Sequence, residues 1–417
     1  MFEDYALYIC LTAFVLLTIY RTAEVVAANL FDITDIKMEK KRTTLRGKRP
    51  LISVVVYARN DEQYIQNCIT GIIRSTARKL EIIVIDDTSS DQTVARVQHA
   101  IVSYPKQTIT LIEKQKHISV RCAYADALSH IRGDIIVLLK AGDVLDRSAL
   151  KVIADRMGAP DGPVVAWMNV HAQLFPSFMA LLEEFDYAQI NQEMKARAQL
   201  RRTYAELLAP GTAYTYDSFY KLITLLGYSR LQGHATEHYS RQNVQMKGSR
   251  FGYIHTAVVR REPSLLIKNV FKYQEHVSHF IPIFNSGQTN RYYLSAVASN
   301  IQAILRIGEP VVITYFMYLA WPGRTSMLLF LSWSLYVIWQ ALAIWSSEHI
   351  GALTKAGLTL LAPSMFVLMY IRAAVFLVVL VSTRMYEACR RLLISPLLRR
   401  HILRRYRDAN IGVELRR

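Results

Sequence analysis

Three short runs rich in β-branched residues, each ending in a polar cluster, constrain this chain more than anything else in it. The first is L-I-S-V-V-V-Y-A, Leu51 to Ala58, followed by Arg59, Asn60 and Asp61. The second is L-E-I-I-V-I-D-D, Leu80 to Asp87, followed by T-S-S-D ending at Asp91. The third is D-I-I-V-L-L-K, Asp134 to Lys140, followed by Ala141, Gly142 and Asp143. A helical pattern separates the first two. Strand, polar tip, helix and strand in succession predict a parallel α/β sheet. In open α/β sheets ligands gather outside the carboxyl ends of the strands, so the three tips are where chemistry is expected.

The rest of the chain predicts membrane. Its 417 residues hold one large domain plus spans, and 52% are hydrophobic with mean hydropathy +0.15. Tyr5 to Tyr20 is apolar or aromatic apart from two threonines, and Arg21, snorkelling, lets that helix extend toward Phe31. A cleaved leader is the alternative, but the run has no basic n-region and no small-residue cleavage site. Met327 to Trp345 predicts a second span and Gly357 to Ser382 a third, while 303–321, carrying Arg306 and Glu309, reads as interfacial or re-entrant. The net charge of +17 is concentrated beside these runs, at Lys37, Lys40, Lys41, Arg42, Arg46, Lys48 and Arg49 and again in the tail after Arg384. That is the positive-inside pattern, which places the α/β domain on the cytoplasmic side of a plasma or inner membrane, against anionic lipid. No nucleic-acid motif accompanies the charge, so nucleic acid is not an expected partner. Cys10, Cys68, Cys122 and Cys389 have no metal-ligand spacing and read as free thiols. The expected division is a transmembrane helix in 1–31, a basic linker in 32–50, an α/β domain in 51–285, interfacial helices in 286–325, further spans in 326–384 and a basic tail in 385–417.

Within the domain, Asp61 to Arg74 reads as a helix capped by Asn60 or Asp61, its first amides open to a nucleotide. Pro163 to Val170 reads as a strand. Phe178 to Leu208 reads as a long helix ended by Pro210 and Gly211, most of its charges solvated.

The three tips resemble those of the family-2 glycosyltransferases of GT-A fold, a Rossmann-like architecture. In that family the first strand ends in an A-R-N-E-like turn, here Ala58 to Asp61, and the second in D-D-G-S-x-D, here Asp86 to Asp91. The third ends in a metal-binding D-x-D, where this chain has Lys140, Ala141, Gly142 and Asp143. The downstream register is similar to that of the processive polysaccharide synthases that make chitooligosaccharide, hyaluronan and cellulose. Thr236-Glu237-His238 falls at their T-E-D, Gly211 in their acceptor loop, and Gln274 begins the stretch where they carry Q-x-x-R-W. The resemblance implies nucleotide-sugar contacts at Ala58, Asn60, Asp61, Asp86, Asp87 and Lys140. It implies acceptor or diphosphate contacts at Gly211 and Gln274, a base at Glu237 or His238, and Mg²⁺ or Mn²⁺ at Asp143. The acceptor it implies is a glycan or a lipid-linked sugar.

Lys140 cuts across the metal. At about 4 Å and an effective dielectric of about 20, each unit-charge pair is worth roughly 4 kcal/mol, so exchanging a carboxylate for an ammonium turns attraction of a cation into repulsion. Lys140 also suits direct neutralisation of a diphosphate without metal. His234-Ala-Thr-Glu237-His238 spells an inverted zincin motif as well, but it follows a glycine and has no amphipathic helix around it. Two functions are therefore expected: a membrane glycosyltransferase of the polysaccharide-synthase type, or an inactive relative that binds or scaffolds another synthase subunit.

Overall fold

The computed structural model describes residues 12, 16, 19–34, 50–77, 79–118, 120–173, 178–199, 210–226, 251–262, 326–345 and 350–362. Eight strands form one mixed sheet in the order β3-β2-β1-β4-β7-β6-β8-β5. They are β1 (Ile52–Ala58), β2 (Leu80–Asp86), β3 (Thr108–Glu113), β4 (Ile135–Lys140), β5 (Asp143–Leu145), β6 (Val165–Ala172), β7 (Thr212–Thr215) and β8 (Phe251–Arg261). The three runs read from sequence are β1, β2 and β4, adjacent and parallel, with β3 parallel at the outer edge of β2. Both faces of β1, β2 and β4 are buried, which explains why the sequence shows continuous apolar runs there rather than alternation.

Alternate residues feed two apolar layers. Val54, Val56, Ile82 and Val84 pack with Ile65, Ile69 and Ile72 of α2 (Ile65–Ile73), Val97 of α3 (Thr93–Ser103) and Ile153 of α5 (Ala149–Met157). Val55, Ile83 and Ile136 pack with Ala123 and Tyr124 of α4 (Val120–Asp126) and Phe219 and Leu222 of α7 (Tyr216–Leu226). At the amino ends of the strands, Gly133 donates its amide to Ser53 Oγ at 2.8 Å. A Cβ there would lie 2.4 Å from that oxygen and 2.7 Å from the Ser53 amide, so only glycine lets β4 enter beside β1.

Several element boundaries differ from the sequence reading. α2 begins at Ile65 rather than Asp61, with Tyr64 at its cap and no side-chain cap bond. The expected strand at Pro163 to Val170 is β6, two residues later at each end. The expected helix after it is α6 (Phe178–Gln199), and its charges are not mainly solvated. Glu183, Glu184, Glu193 and Lys195 are buried. Glu184 accepts from the Ala172 amide at 2.6 Å and pairs with His171 at 2.7 Å, and Lys195 bonds Asp32 at 2.9 Å. These partners come from β6 and from a helix over 19–34, α1, and supply the hydrogen bonds a buried charge requires. Arg21 is likewise buried and paired with Glu24 at 3.2 Å instead of snorkelling alone.

The expected span at Met327 to Trp345 is a 20-residue helix, α8 (Ser326–Trp345). Ile344 packs with Leu182, Phe185 and Ala188 of α6, and Gln340 accepts a hydrogen bond from Gln189 at 2.6 Å. Among the described residues no helix is long and apolar enough to cross a membrane. The basic cluster at 37–49, the 303–321 segment, the chain after residue 362, Glu237, His238 and Gln274 lie outside the described residues.

Candidate functional site

The sheet reverses direction of growth between β1 and β4, and the carboxyl ends of these strands meet at one edge. Register puts Ala58 beside Asp86 and Tyr57 beside Lys140. The ladder continues past the strands, with the Asp87 amide bonded to Ala58 O and the Ala141 amide to Tyr57 O, both at 2.9 Å. The edge therefore presents Ala58, Asp86, Asp87 and Lys140 side by side, at the position where open α/β sheets bind ligands.

Asp87 is the hub of this edge and is fully buried. One carboxylate oxygen accepts the Tyr57 hydroxyl at 2.7 Å and pairs with His117 Nδ1 at 2.5 Å. The other accepts the Ile118 amide at 2.8 Å. His117 Nε2 lies 3.0 Å from Arg59 Nη1. A guanidinium only donates, so Nε2 accepts and Nδ1 carries the proton that it donates to Asp87. Burial, and then the Asp87 carboxylate, push the Tyr57 phenol far up, so it is a permanent donor. Asp87 thus holds Tyr57, the 117–118 turn and, through His117, Arg59.

Asp86 differs. Its Oδ2 accepts the Ser89 amide at 3.0 Å, while its Oδ1 is buried and has no hydrogen-bond partner. A buried carboxylate oxygen left without a donor is costly, and costly groups of this kind cluster where a ligand completes them. Backbone strain lies next to it. Asn60 and Thr88 both have positive φ, 54° and 57°. Asparagine tolerates that conformation, but a β-branched threonine rarely adopts it. Thr88 occupies the glycine position of the D-D-G-S-like turn.

The first amides after β1 are not open to a nucleotide as the sequence reading has it. The Asn60 amide donates to Ser89 Oγ at 2.9 Å, Asp61 to Thr93 Oγ1 at 2.9 Å, and Glu62 to Asp91 Oδ2 at 3.1 Å. Residues 89–93 therefore cap this turn from across the sheet, which is why α2 starts late. Partial desolvation pushes the Asp91 carboxyl up. Bonds from the Thr93 hydroxyl and the Thr93 and Glu62 amides outweigh it and hold Asp91 below its usual value. A carboxyl lowered by folding contributes stability above its unfolded pKa and loses it as pH falls through the folded value. Asp91→Ala is expected to speed hydrogen exchange at the Glu62 and Thr93 amides by about tenfold or more, read by NMR near neutral pH. In the unsubstituted protein the same loss of protection, taken relative to the intrinsic exchange rate at each pH, is expected only on acidification below the ordinary aspartate range.

The third tip is where the structure departs most from a metal site. Lys140 is exposed at the end of β4, and Gly142 carries no side chain. Asp143 is fully buried and turned onto Arg261, its cross-strand partner in β8. Arg261 Nε donates to Oδ1 at 2.6 Å and Nη2 to Oδ2 at 3.0 Å, and the Lys140 amide adds a bond to Oδ2 at 2.9 Å. Burial alone would lower the Arg261 guanidinium; Asp143 and then Tyr187 more than reverse this, and Arg261 stays charged. Asp146, the next carboxylate, accepts from Arg260 at 3.3 Å. Among the described residues no group of three or more potential ligands converges. A carboxylate gripped by a guanidinium, flanked by a lysine and a glycine, does not fit a divalent cation.

Of the remaining candidates, Gly211 lies in the sheet. Its φ is 86°, its amide bonds Leu138 O at 2.7 Å, and its carbonyl accepts the Met168 amide at 2.9 Å. A Cβ would press on Val170 at 3.2 Å, so backbone geometry requires glycine at this point. Three residues of the site were not candidates in the sequence. They are Tyr57, His117 and Arg261, and Arg261 gave no signal because its partner lies 118 residues away.

Comparison with known proteins bears on the whole edge. The model of a family described as glycosyltransferase like family 2 matches residues 49–267, just over half of the chain. A chondroitin synthase of Escherichia coli is 28% identical over 119 residues, 28% of this chain and 17% of that protein. An uncharacterized glycosyltransferase of Haemophilus influenzae is 27% identical over 146 residues, 35% of this chain and 42% of that one. The chain thus spans less than half the length of these curated relatives. Among solved structures, a mannosyltransferase from Pyrobaculum calidifontis in complex with GDP-Man and Mn²⁺ superposes with a TM-score of 0.49 at 16% identity, covering 87% of this chain and 98% of that one. Staphylococcus aureus TarS in complex with UDP gives 0.41 at 14%, covering 70% and 90%.

Proposed function

Because this chain belongs to the glycosyltransferase like family 2, we propose that it binds a nucleotide sugar at the carboxyl edge of β1, β2 and β4. It would do so on the cytoplasmic face of a membrane and transfer or polymerise glycosyl units there, for a cell-surface or secreted glycan. The observation that carries this reading is the buried, donor-less Oδ1 of Asp86, which suits an N–H or O–H of a nucleoside. Lys140, exposed at the end of the adjacent strand β4, supplies a positive charge for the diphosphate. Glu237 or His238 is the proposed base for the acceptor hydroxyl, a role either side chain can fill chemically. The partial match to a chondroitin synthase supports a polymerising enzyme.

Membrane attachment is part of the proposal. Leu16, Ile19, Val26, Leu30 and Ile33 lie exposed along the helix over 19–34 and its described upstream residues, at spacings of three, four and seven. Ile338, Leu342 and Trp345 repeat the spacing on α8. Stripes of this kind, next to the basic segment at 37–49, suit lipid contact.

A second reading rests on the third tip. Lys140 and the Asp143–Arg261 pair suit a relative that binds a nucleotide sugar without turning it over and serves as a subunit of another synthase. Purified protein given a panel of nucleotide sugars separates the two, since turnover supports the transferase and binding without turnover supports the scaffold. In either case Asp86→Asn is expected to weaken nucleotide binding by about tenfold or more by calorimetry, with little change in Tm. Unchanged affinity would remove Asp86 from the site.

A further inference from the structure

We infer that His117 is a positioning residue for the nucleotide: a neutral ring fixed by Asp87, it aims the Arg59 guanidinium at the ligand's phosphates without cancelling its charge. The inference rests on the nucleotide-sugar reading above and names a side chain that would meet phosphate there. Arginines near these strand ends are held in two ways. Arg261 grips both oxygens of the buried Asp143 carboxylate at 2.6 and 3.0 Å, and Arg260 donates to Asp146 at 3.3 Å. The charge of each is met directly by a carboxylate. Arg59 is held differently. It follows Ala58, the register partner of Asp86, and it is exposed. Its Nη1 donates to His117 Nε2 at 3.0 Å, and among the described residues no carboxylate pairs with its guanidinium.

Asp87 reaches Arg59 only through the imidazole. The carboxylate takes the Nδ1 proton of His117 at 2.5 Å, which leaves the Nε2 lone pair directed at the guanidinium. A direct Asp87–Arg59 pair would hold the side chain as firmly but would neutralise it. The ring between them fixes the direction and leaves the charge for an anion. A guanidinium carries several N–H donors in a planar fork, so those not used on His117 suit phosphate oxygens. The main chain is fixed as well. The Arg59 amide donates to Asp61 Oδ2 at 2.8 Å, the Asn60 amide to Ser89 Oγ at 2.9 Å, and the Ser90 amide to Asn60 Oδ1 at 2.9 Å. An arginine tied through both its backbone and its side chain gives up little freedom when a ligand arrives, which is how preorganisation raises affinity. The His117 side chain itself is 55% exposed, and Asp87 keeps Tyr57 and Ile118 as donors without it. Its replacement therefore separates an effect on affinity from an effect on stability.

The test measures UDP-GlcNAc and GDP-Man binding to the full chain in detergent by calorimetry. Arg59→Ala should weaken binding by about tenfold, the loss of one charge-assisted contact. His117→Leu should weaken it by about fivefold with little change in Tm. His117→Gln, whose amide oxygen can stand where Nε2 does, should recover most of that loss. The double variant of Arg59→Ala with His117→Leu should bind no more weakly than Arg59→Ala alone, because both changes remove the same interaction. NMR of the ring nitrogens in the unsubstituted protein should show His117 neutral with its proton on Nδ1. Full addition of the two losses in the double variant, His117→Gln binding no better than His117→Leu, or a proton on Nε2 would each overturn the inference. Binding by the unsubstituted protein would in those cases leave the nucleotide-sugar site standing. No binding of either nucleotide sugar by the unsubstituted protein removes the site itself and the inference with it.

Discussion

Replacing Arg261 with methionine is expected to destabilise the α/β domain by about 3–5 kcal/mol, the cost of stranding a buried carboxylate once its partner is gone. Asp143 has no exposed surface and takes two of its hydrogen bonds from that one guanidinium. For a domain of this size the loss corresponds to roughly 6–20 °C in Tm, measurable by differential scanning calorimetry. The double variant Arg261→Met with Asp143→Leu should recover much of the loss, since removing both members of a buried pair costs far less than removing one. A fall of under about 1 kcal/mol in the single variant would show that Asp143 finds another partner, and the pair would then lose its structural role.

Asp87→Ala is expected to cost about 2–5 kcal/mol, from leaving the buried Tyr57 hydroxyl and the Ile118 amide without an acceptor. It should also release His117 and, through it, Arg59. The stability loss would then come with weaker nucleotide binding, a pairing that distinguishes Asp87 from a purely structural residue. Asp87→Asn keeps an acceptor for Ile118 but puts an amide donor opposite the Tyr57 and His117 donors, so it should fall between the two. Equal stability of Asp87→Ala and the unsubstituted protein, by denaturant titration, would contradict the hub role.

How much of this was legible follows from particular residues. β1, β2 and β4 were readable because a parallel strand buried on both faces must be apolar throughout, and Val54, Ile83 and Val137 declare it locally. Asp86 and Asp87 were readable as a pair at a strand end, but not as two residues with different tasks. One is saturated by Tyr57, His117 and Ile118, and the other has an oxygen without a donor. Asn60 and Asp61 were misread as helix caps. Local rules assign a helix start to the nearest polar residue, whereas here Ser89, Asp91 and Thr93 reach across and take the amides of residues 60–62. The charges of α6 were misread as solvated because their partners, His171 and Asp32, come from other elements.

The sequence by itself determined the parallel α/β sheet, the edge at which its polar tips gather, and the lysine that stands where a metal ligand is expected, since each is encoded within a dozen residues. Only the tertiary structure decided what Asp143 does. Its partner is set by the antiparallel register of two strands more than a hundred residues apart. Which charge neutralises a buried carboxylate depends on the distance between groups in space, and spacing along the chain carries no record of it.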